Sequence, residues 1–236
     1  MRSVIAGILA LAALVFLILE AARLVDVDFL VYLGAADALM SGQDLYNNFN
    51  VGGLPFTYPP FAGAVFIPFD LFPPTAAFAI WTAVSIAALA GIAWLTAMRL
   101  PALVGKELTT KTWELALFIF AIGAFSETVI KNIELGQVNL VLVLLIMFDT
   151  VTKAHYRGFL TGMAAGFKIV PAIFIVFMLV NRRWGDFGRA LLGFLTTLAI
   201  GSFFGIGQVW QFFSVELWDT TRVGAADRLS NVSMYG

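Results

Sequence analysis

The stretch LVDVDFLVYLGAADALMSGQDLY (24–46) places four carboxylates, Asp26, Asp28, Asp37 and Asp44, close together in a chain that is only 12% charged. A carboxylate set among apolar and aromatic residues, as Asp28 is, can take a proton from a hydroxyl, a general-base task worth on the order of 10²–10⁴-fold in rate. Asp28 also stands where aspartate is preferred as a helix cap, satisfying free amides ahead of Phe29, and the residues alone leave both roles open. Asp26 and Asp28 form an Asp-x-Asp pair. Such a pair can hold a divalent cation, or one acid can raise its neighbour's pKa by like-charge repulsion. Solvated loop acids are the commoner outcome, so no metal or other cofactor is expected.

A second set of polar groups lies inside apolar sequence. Lys168 interrupts the run at Lys168-Ile169-Val170-Pro171, and a charge in such a place usually faces a cavity or a partner. Glu134 and Asp149 are the acids it could pair with. Gln137 and Asn139 begin an otherwise apolar helix, where amides can bond a polar ligand or bridge packed helices. Tyr32 and Tyr58 can stack on a ligand's ring or sit as interfacial aromatics, the latter favoured for Tyr58. His155, the one histidine, falls in a basic loop and is given no role.

The elements that must position these groups are membrane helices. The chain of 236 residues is 61% hydrophobic, where soluble domains have about 45–50% apolar and about 25% charged residues. Residues 3–19, 71–98 and 190–215 carry no charge, and a span needs roughly 20 mostly apolar residues. A net charge of −1 argues against nucleic acid as a partner, and the absence of cysteine excludes a disulfide framework. The expected architecture is an all-α polytopic membrane protein, one transmembrane domain over 1–236, with about seven to eight membrane helices. Candidate segments are 3–19, 58–72, 74–98, 113–130, 137–152, 157–169, 171–181 and 187–207. The first is expected to be retained and to direct insertion rather than to be cleaved.

Two of these segments are too short to span. Pro171 separates 157–169 from 171–181, proline ends or kinks a helix, and both flanks are basic: Lys153 and Arg157 before, Arg182, Arg183 and Arg189 after. The pair reads either as a re-entrant hairpin returning to its own side or as two kinked spans. Arg2 suggests a cytoplasmic N-terminus, which puts the loop 20–57, with five acids and one base, on the extracytoplasmic face. Phe29, Tyr32, Leu33, Ala36, Leu39 and Met40 then form an apolar stripe, predicting an amphipathic surface helix over 29–41 that stops near Gly42. Strict alternation afterwards places Arg99, Lys106 and Lys111 outside, against the positive-inside tendency. Either 58–98 does not cross twice or the tendency is broken.

The ordered motifs Asp28-Phe-x-Val-Tyr-x-x-Ala-Ala36, Ser41-Gly-x-Asp-Leu-Tyr46, Phe56-Thr-Tyr-Pro-Pro-Phe61, Gly136-Gln-Val-Asn139, Gly162-x-x-Ala-Gly-Phe-Lys-Ile-Val-Pro171 and Arg182-Arg-Trp184 resemble glycosyltransferase family 87. Each motif alone is weak; their order over the whole chain carries the resemblance. It implies a GT-C membrane fold and transfer of mannose from polyprenyl-phosphate mannose to a hydroxyl of a mannosylated lipid or glycan, outside the plasma membrane. Asp28 matches the family's acid and would be the base, Lys168 would meet the donor phosphate, and Gln137, Asn139, Tyr32 and Tyr58 would line the substrate. Asn231, in SNVSMYG, matches the family's N-x-S segment, which lies mid-way along full-length members, within an expected extracytoplasmic C-terminal loop (208–236). The chain accordingly resembles the N-terminal part of such an enzyme or a shortened, inactive homologue. A transporter or scaffold subunit is the reading from another class, and a polyprenyl-phosphoarabinose donor remains an alternative within the enzyme class. A transporter would be expected to carry its ionisable residues near mid-bilayer, whereas here the acids cluster in a loop.

Overall fold

The computed structural model describes residues 2–22, 27–47, 49–105, 110–151 and 155–219. Among these the chain is helical, with one isolated bridge between Val51 and Leu54. The helices are α1 (Arg2–Ala21), α2 (Val27–Met40), α3 (Pro60–Asp70), α4 (Pro74–Val104), α5 (Thr112–Ala124), α6 (Glu127–Glu134), α7 (Asn139–Val151), α8 (Phe159–Phe167), α9 (Ala172–Val180), α10 (Trp184–Phe203) and α11 (Ile206–Ser214). By length and composition, α1 and α4 can cross a membrane, and the pair α5–α6, bent by 72°, adds a third if taken as one broken span. Among the described residues two or three spans pass this measure, against the seven to eight expected, because several apolar segments fold as shorter helices.

Segment 58–72 is one of them. Its helix, α3, has 11 residues, about 16 Å of rise against a hydrocarbon core of about 30 Å. It lies antiparallel along α2: Gly63 faces Ala35 and Leu39, while Phe66 stacks on Tyr32 at 4.6 Å and meets Phe29 edge-on at 6.0 Å. Such ring pairs are worth about 0.5–1.5 kcal/mol each beyond their buried area. Within 58–98, α4 is thus the helix long and apolar enough to cross a membrane.

α2 differs from the expected surface stripe. Phe29, Val31, Tyr32, Leu33, Ala35, Ala36, Ala38 and Leu39 are all buried, leaving Asp37 and Met40 exposed. The loop after Gly42 folds back over the helix. Val51 packs on Gly34, where an added Cβ would lie 2.7 Å from the Val51 Cγ2, and Gly52 packs on Val27. This loop covers the side of the helix that holds Val27 and Gly34, while α3 covers Ala35.

The remaining helices sort the charges. α1 and α5 run parallel: Ser3 hydrogen-bonds Glu114 at their starts, and Phe16 meets Phe125 at 5.0 Å near their far ends. At the end that holds Ser3 and Lys111, Arg99 donates to the Val151 carbonyl. Beyond α7, the buried Asp186 gathers Arg157 (2.9 Å), Arg183 and Arg189. Asp149, fully buried, accepts from the Gly158 amide (2.8 Å) and the Thr161 hydroxyl (2.6 Å), capping α8. α8 and α9 have nine residues each, too short to cross a bilayer alone. They leave the Asp186 cluster and return to it through the break at Lys168–Pro171.

A glycine seam holds α8 parallel to α10. An added Cβ at Gly162 would lie 1.9 Å from the Ala190 carbonyl oxygen, at Gly166 1.8 Å from the Thr197 Oγ1, and at Gly193 2.1 Å from the Phe159 carbonyl oxygen. Small residues at four-residue spacing allow this approach of backbones. Gly162→Ala should therefore lower the thermal midpoint in detergent by an amount matching overpacking, about 1–3 kcal/mol. Gly188→Ala, on the same α10 but with open space around the new methyl, should leave it unchanged or raise it slightly. Equal behaviour of the two variants would contradict the seam.

Candidate active site

At the opposite end from the arginines, the first turn of α2 presents Asp28, half-buried. The turn between α6 and α7 comes up against it. Gly136 there has φ +65°, and an added Cβ would lie 2.8 Å from the Phe29 Cβ, so only glycine fits both the backbone and the space. The turn is fastened on every side. Trp81 Nε1 donates to the Gly136 carbonyl at 2.9 Å, Asn132 Nδ2 donates to the Gln137 carbonyl at 2.9 Å, and the Gln137 amide donates to the Asn132 carbonyl at 2.9 Å. The outcome is that Gln137 Nε2 donates to Asp28 Oδ2 at 2.6 Å.

The aromatic wall comes from α2 and the loop before α3. Tyr32 and Tyr58 lie 5.2 Å apart, and Tyr32 donates to the Gln137 Oε1 at 3.4 Å. Tyr46 fixes the loop by donating to the Tyr58 carbonyl at 2.9 Å. Asp44 shapes the turn before it, accepting from the amides of Tyr46 (2.7 Å) and Asn47 (2.8 Å), the local bonding typical of aspartate in turns. Burial holds the phenol of Tyr32 well above its ordinary pKa, and burial raises that of Tyr58 as well. Both are neutral hydroxyls at physiological pH. Asp28, Val31, Tyr32, Leu54, Pro55, Thr57, Tyr58 and Gln137 enclose a cleft of about 180 Å³.

Lys168 reaches this wall from the α8–α9 break. Its Nζ donates to the Asn139 Oδ1 at 3.0 Å and lies 5.5 Å from the centre of the Tyr58 ring. It engages neither Asp149, which caps α8, nor Glu134, which Lys131 holds at 2.6 Å. Asp28, Gln137, Tyr32 and Tyr58 thus share one cleft, with Lys168 and Asn139 at its edge. Asp37 is exposed on α2, away from it. Asp26 and Asn231 lie outside the described residues. Trp81 and Asn132, which hold the turn, carried no signal among apolar and helical sequence. A carboxylate fixed by an amide, a cation and two aromatic faces can together accept a proton, meet an anion and hold an apolar ring face.

The model of glycosyltransferase family 87 matches residues 56–236. The chain is 33% identical, over 98% of its length and 56% of the relative's, to the polyprenol-phosphate-mannose-dependent alpha-(1-2)-phosphatidylinositol pentamannoside mannosyltransferase of Mycolicibacterium smegmatis. It is 30% identical, over 86% of its length and 50% of the relative's, to the polyprenol-phosphate-mannose-dependent alpha-(1-2)-phosphatidylinositol mannoside mannosyltransferase of Mycobacterium tuberculosis. The chain spans about half the length of the curated relatives it matches. No solved structure matches.

The packing of the Gly136 turn can be tested by a pair of substitutions. Gly136→Ala meets both the positive-φ penalty, roughly 1–2 kcal/mol, and the overlap with Phe29. Gly53→Ala, also at positive φ (+87°) but in open space, meets the first alone. In thermal unfolding followed by tryptophan fluorescence, the Gly136 variant should lose more stability; equal losses would mean that the turn is not seated on α2.

Proposed function

Given that the chain belongs to glycosyltransferase family 87, we propose that it moves mannose from polyprenyl-phosphate mannose to a hydroxyl of a mannosylated lipid, on the extracytoplasmic face of the plasma membrane. The relatives' names supply the donor and the class of acceptor. The single observation that carries the reading is the convergence of Asp28 and Lys168, from opposite parts of the sequence, on the wall formed by Tyr32 and Tyr58.

The step is a single displacement. The acceptor oxygen attacks the anomeric carbon, the bond from that carbon to the phosphate oxygen breaks, and its electron pair leaves with the polyprenyl phosphate. The acceptor's proton goes to Asp28. Inversion at the anomeric carbon gives an α-mannoside from a β-linked donor, with one base on the acceptor side as in half of an inverting glycosidase. A phosphate is already a good leaving group, so a general acid is not required. A cation is, because charge shifts toward the phosphate as the bond breaks, and Lys168 is the cation at hand. Tyr58 and Asn139, which hold Lys168 in the resting site, would yield it to the phosphate. Tyr32 and Tyr58 offer flat faces to the sugar.

The distribution of charge supports this orientation. Arg2, Arg99, Lys111, Arg157, Arg182, Arg183 and Arg189 belong to one end of the molecule, and basic termini favour the cytoplasm. With one crossing in 58–98, the Arg99–Lys111 segment returns to the side of Arg2, and the conflict with the positive-inside tendency disappears. The cleft then faces outward. α8 and α9 would enter from the cytoplasmic end and return, with Lys168 at their tip, in the manner of broken helices that line a cavity.

Membranes carrying the protein, radiolabelled polyprenyl-phosphate mannose and a phosphatidylinositol mannoside acceptor provide the test. Asp28→Asn, at matched expression, should lower transfer by at least about 100-fold; wild-type rates in this variant would remove Asp28 as the base. Lys168→Met should raise the apparent KM for donor more than that for acceptor. Equal changes in both constants would count against a phosphate contact.

A further inference from the structure

We infer that Gln137 is a positioning residue for Asp28, holding the carboxylate through its side-chain amide while Tyr32 donates to the same amide's oxygen. The inference rests on Asp28 being the base. It assigns Gln137 to the carboxylate rather than to sugar hydroxyls.

Three observations carry it. The contact between Gln137 Nε2 and Asp28 Oδ2, at 2.6 Å, is short for an N–H···O bond, as expected when the acceptor is charged. The carboxylate dictates the amide's direction: ionised, it only accepts, so Nε2 must face Asp28, and Oε1 is then turned to the Tyr32 hydroxyl, which donates to it at 3.4 Å. The backbone of Gln137 is itself held, by the side-chain Nδ2 and the backbone carbonyl of Asn132, by Trp81 through Gly136, and by the seating of Gly136 on Phe29. An amide that merely bridged helices would not need its turn fastened to the helix that bears the base. A hydrogen bond donated to the charged form of an acid keeps its pKa low. Gln137 would therefore keep Asp28 ionised and aimed while it waits for the acceptor hydroxyl. The titratable groups facing Asp28 among the described residues are Tyr32 on its own helix, Tyr58 on the loop and Lys168 at the α8–α9 break. Removing Gln137 leaves all three in place.

The test is the pH dependence of kcat in membranes holding wild type, Gln137→Met, Gln137→Asn, Tyr32→Phe and Asp28→Asn, each with its thermal midpoint measured. Gln137→Met should lower kcat by about 10–100-fold, the scale of a misplaced catalytic group, with little change in the donor KM. Its acid limb should move to higher pH, because the carboxylate loses a donor to its charged form. Gln137→Asn, which keeps the amide one carbon shorter, should recover part of both effects. Tyr32→Phe keeps the ring on Phe66 and should shift the limb less, in the same direction; it serves as the probe if Gln137→Met fails to fold. An acid limb unmoved in folded Gln137→Met, or in Tyr32→Phe where Gln137→Met does not fold, would overturn the inference while leaving Asp28 as the base. Full transfer by Asp28→Asn would instead remove the base itself, and the inference with it.

Discussion

The approach of Gly136 to Phe29 is the contact on which the site depends. A turn between two helices is seated against the first residues of a third, with no room for a side chain at the point of contact. That seating brings Gln137 to Asp28, and Trp81 and Asn132 hold it there. The bonds involved are individually modest, about 0.5–1.5 kcal/mol each in net terms. Their importance lies in leaving the carboxylate few orientations. Phe29, Phe66, Phe78 and Trp81 form the apolar floor beneath it, and a rigid floor makes a short hydrogen bond at its edge reproducible.

The second half of the site depends on a different kind of packing. Lys168 is delivered by α8, a helix of nine residues that could not be placed by its own stability. Its position comes from the glycine seam with α10 and from the cap that Asp149 places on its first turn. The same seam anchors the Asp186 cluster at the far end, where Arg157 and Asp186 meet across α8 and α10. Close backbone packing thus connects the arginine-rich end to the lysine beside the cleft. Helix directions sort the described arginines to the end away from Asp28, Asp37 and Asp44, leaving Lys168 as the cation beside the cleft.

Much of the site was legible in the sequence, and for identifiable reasons. Asp28, Gln137, Asn139 and Lys168 each stand in a short motif whose order along the chain marks the family. Gly136 in the Gly-Gln-Val-Asn motif has a physical cause in its positive φ and its contact with Phe29. The fold was less legible. Segment 58–72 has the apolar character of a span, but its length limits it to a helix lying on α2, and only the contacts of Gly63 and Phe66 reveal that. The loop that covers α2 was hidden as well, since Val51 and Gly52 lack any periodic signal. Gly158, Gly162 and Gly166 do recur at the four-residue spacing of close helix contacts, a signal present in the sequence and absent from the expectation. Tyr58 lines the cleft, and Tyr46 holds its backbone there through the Tyr58 carbonyl.

The central claim is that Asp28 and Lys168 serve one reaction from two sides of one cleft. A structure of the protein with a non-transferable phosphonate analogue of polyprenyl-phosphate mannose measures this directly. A phosphonate oxygen is expected within about 2.7–3.2 Å of Lys168 Nζ, with the mannose between Tyr32, Tyr58 and Asp28. An analogue bound with its phosphonate away from Lys168, or with its sugar outside the cleft that Asp28 lines, would contradict it.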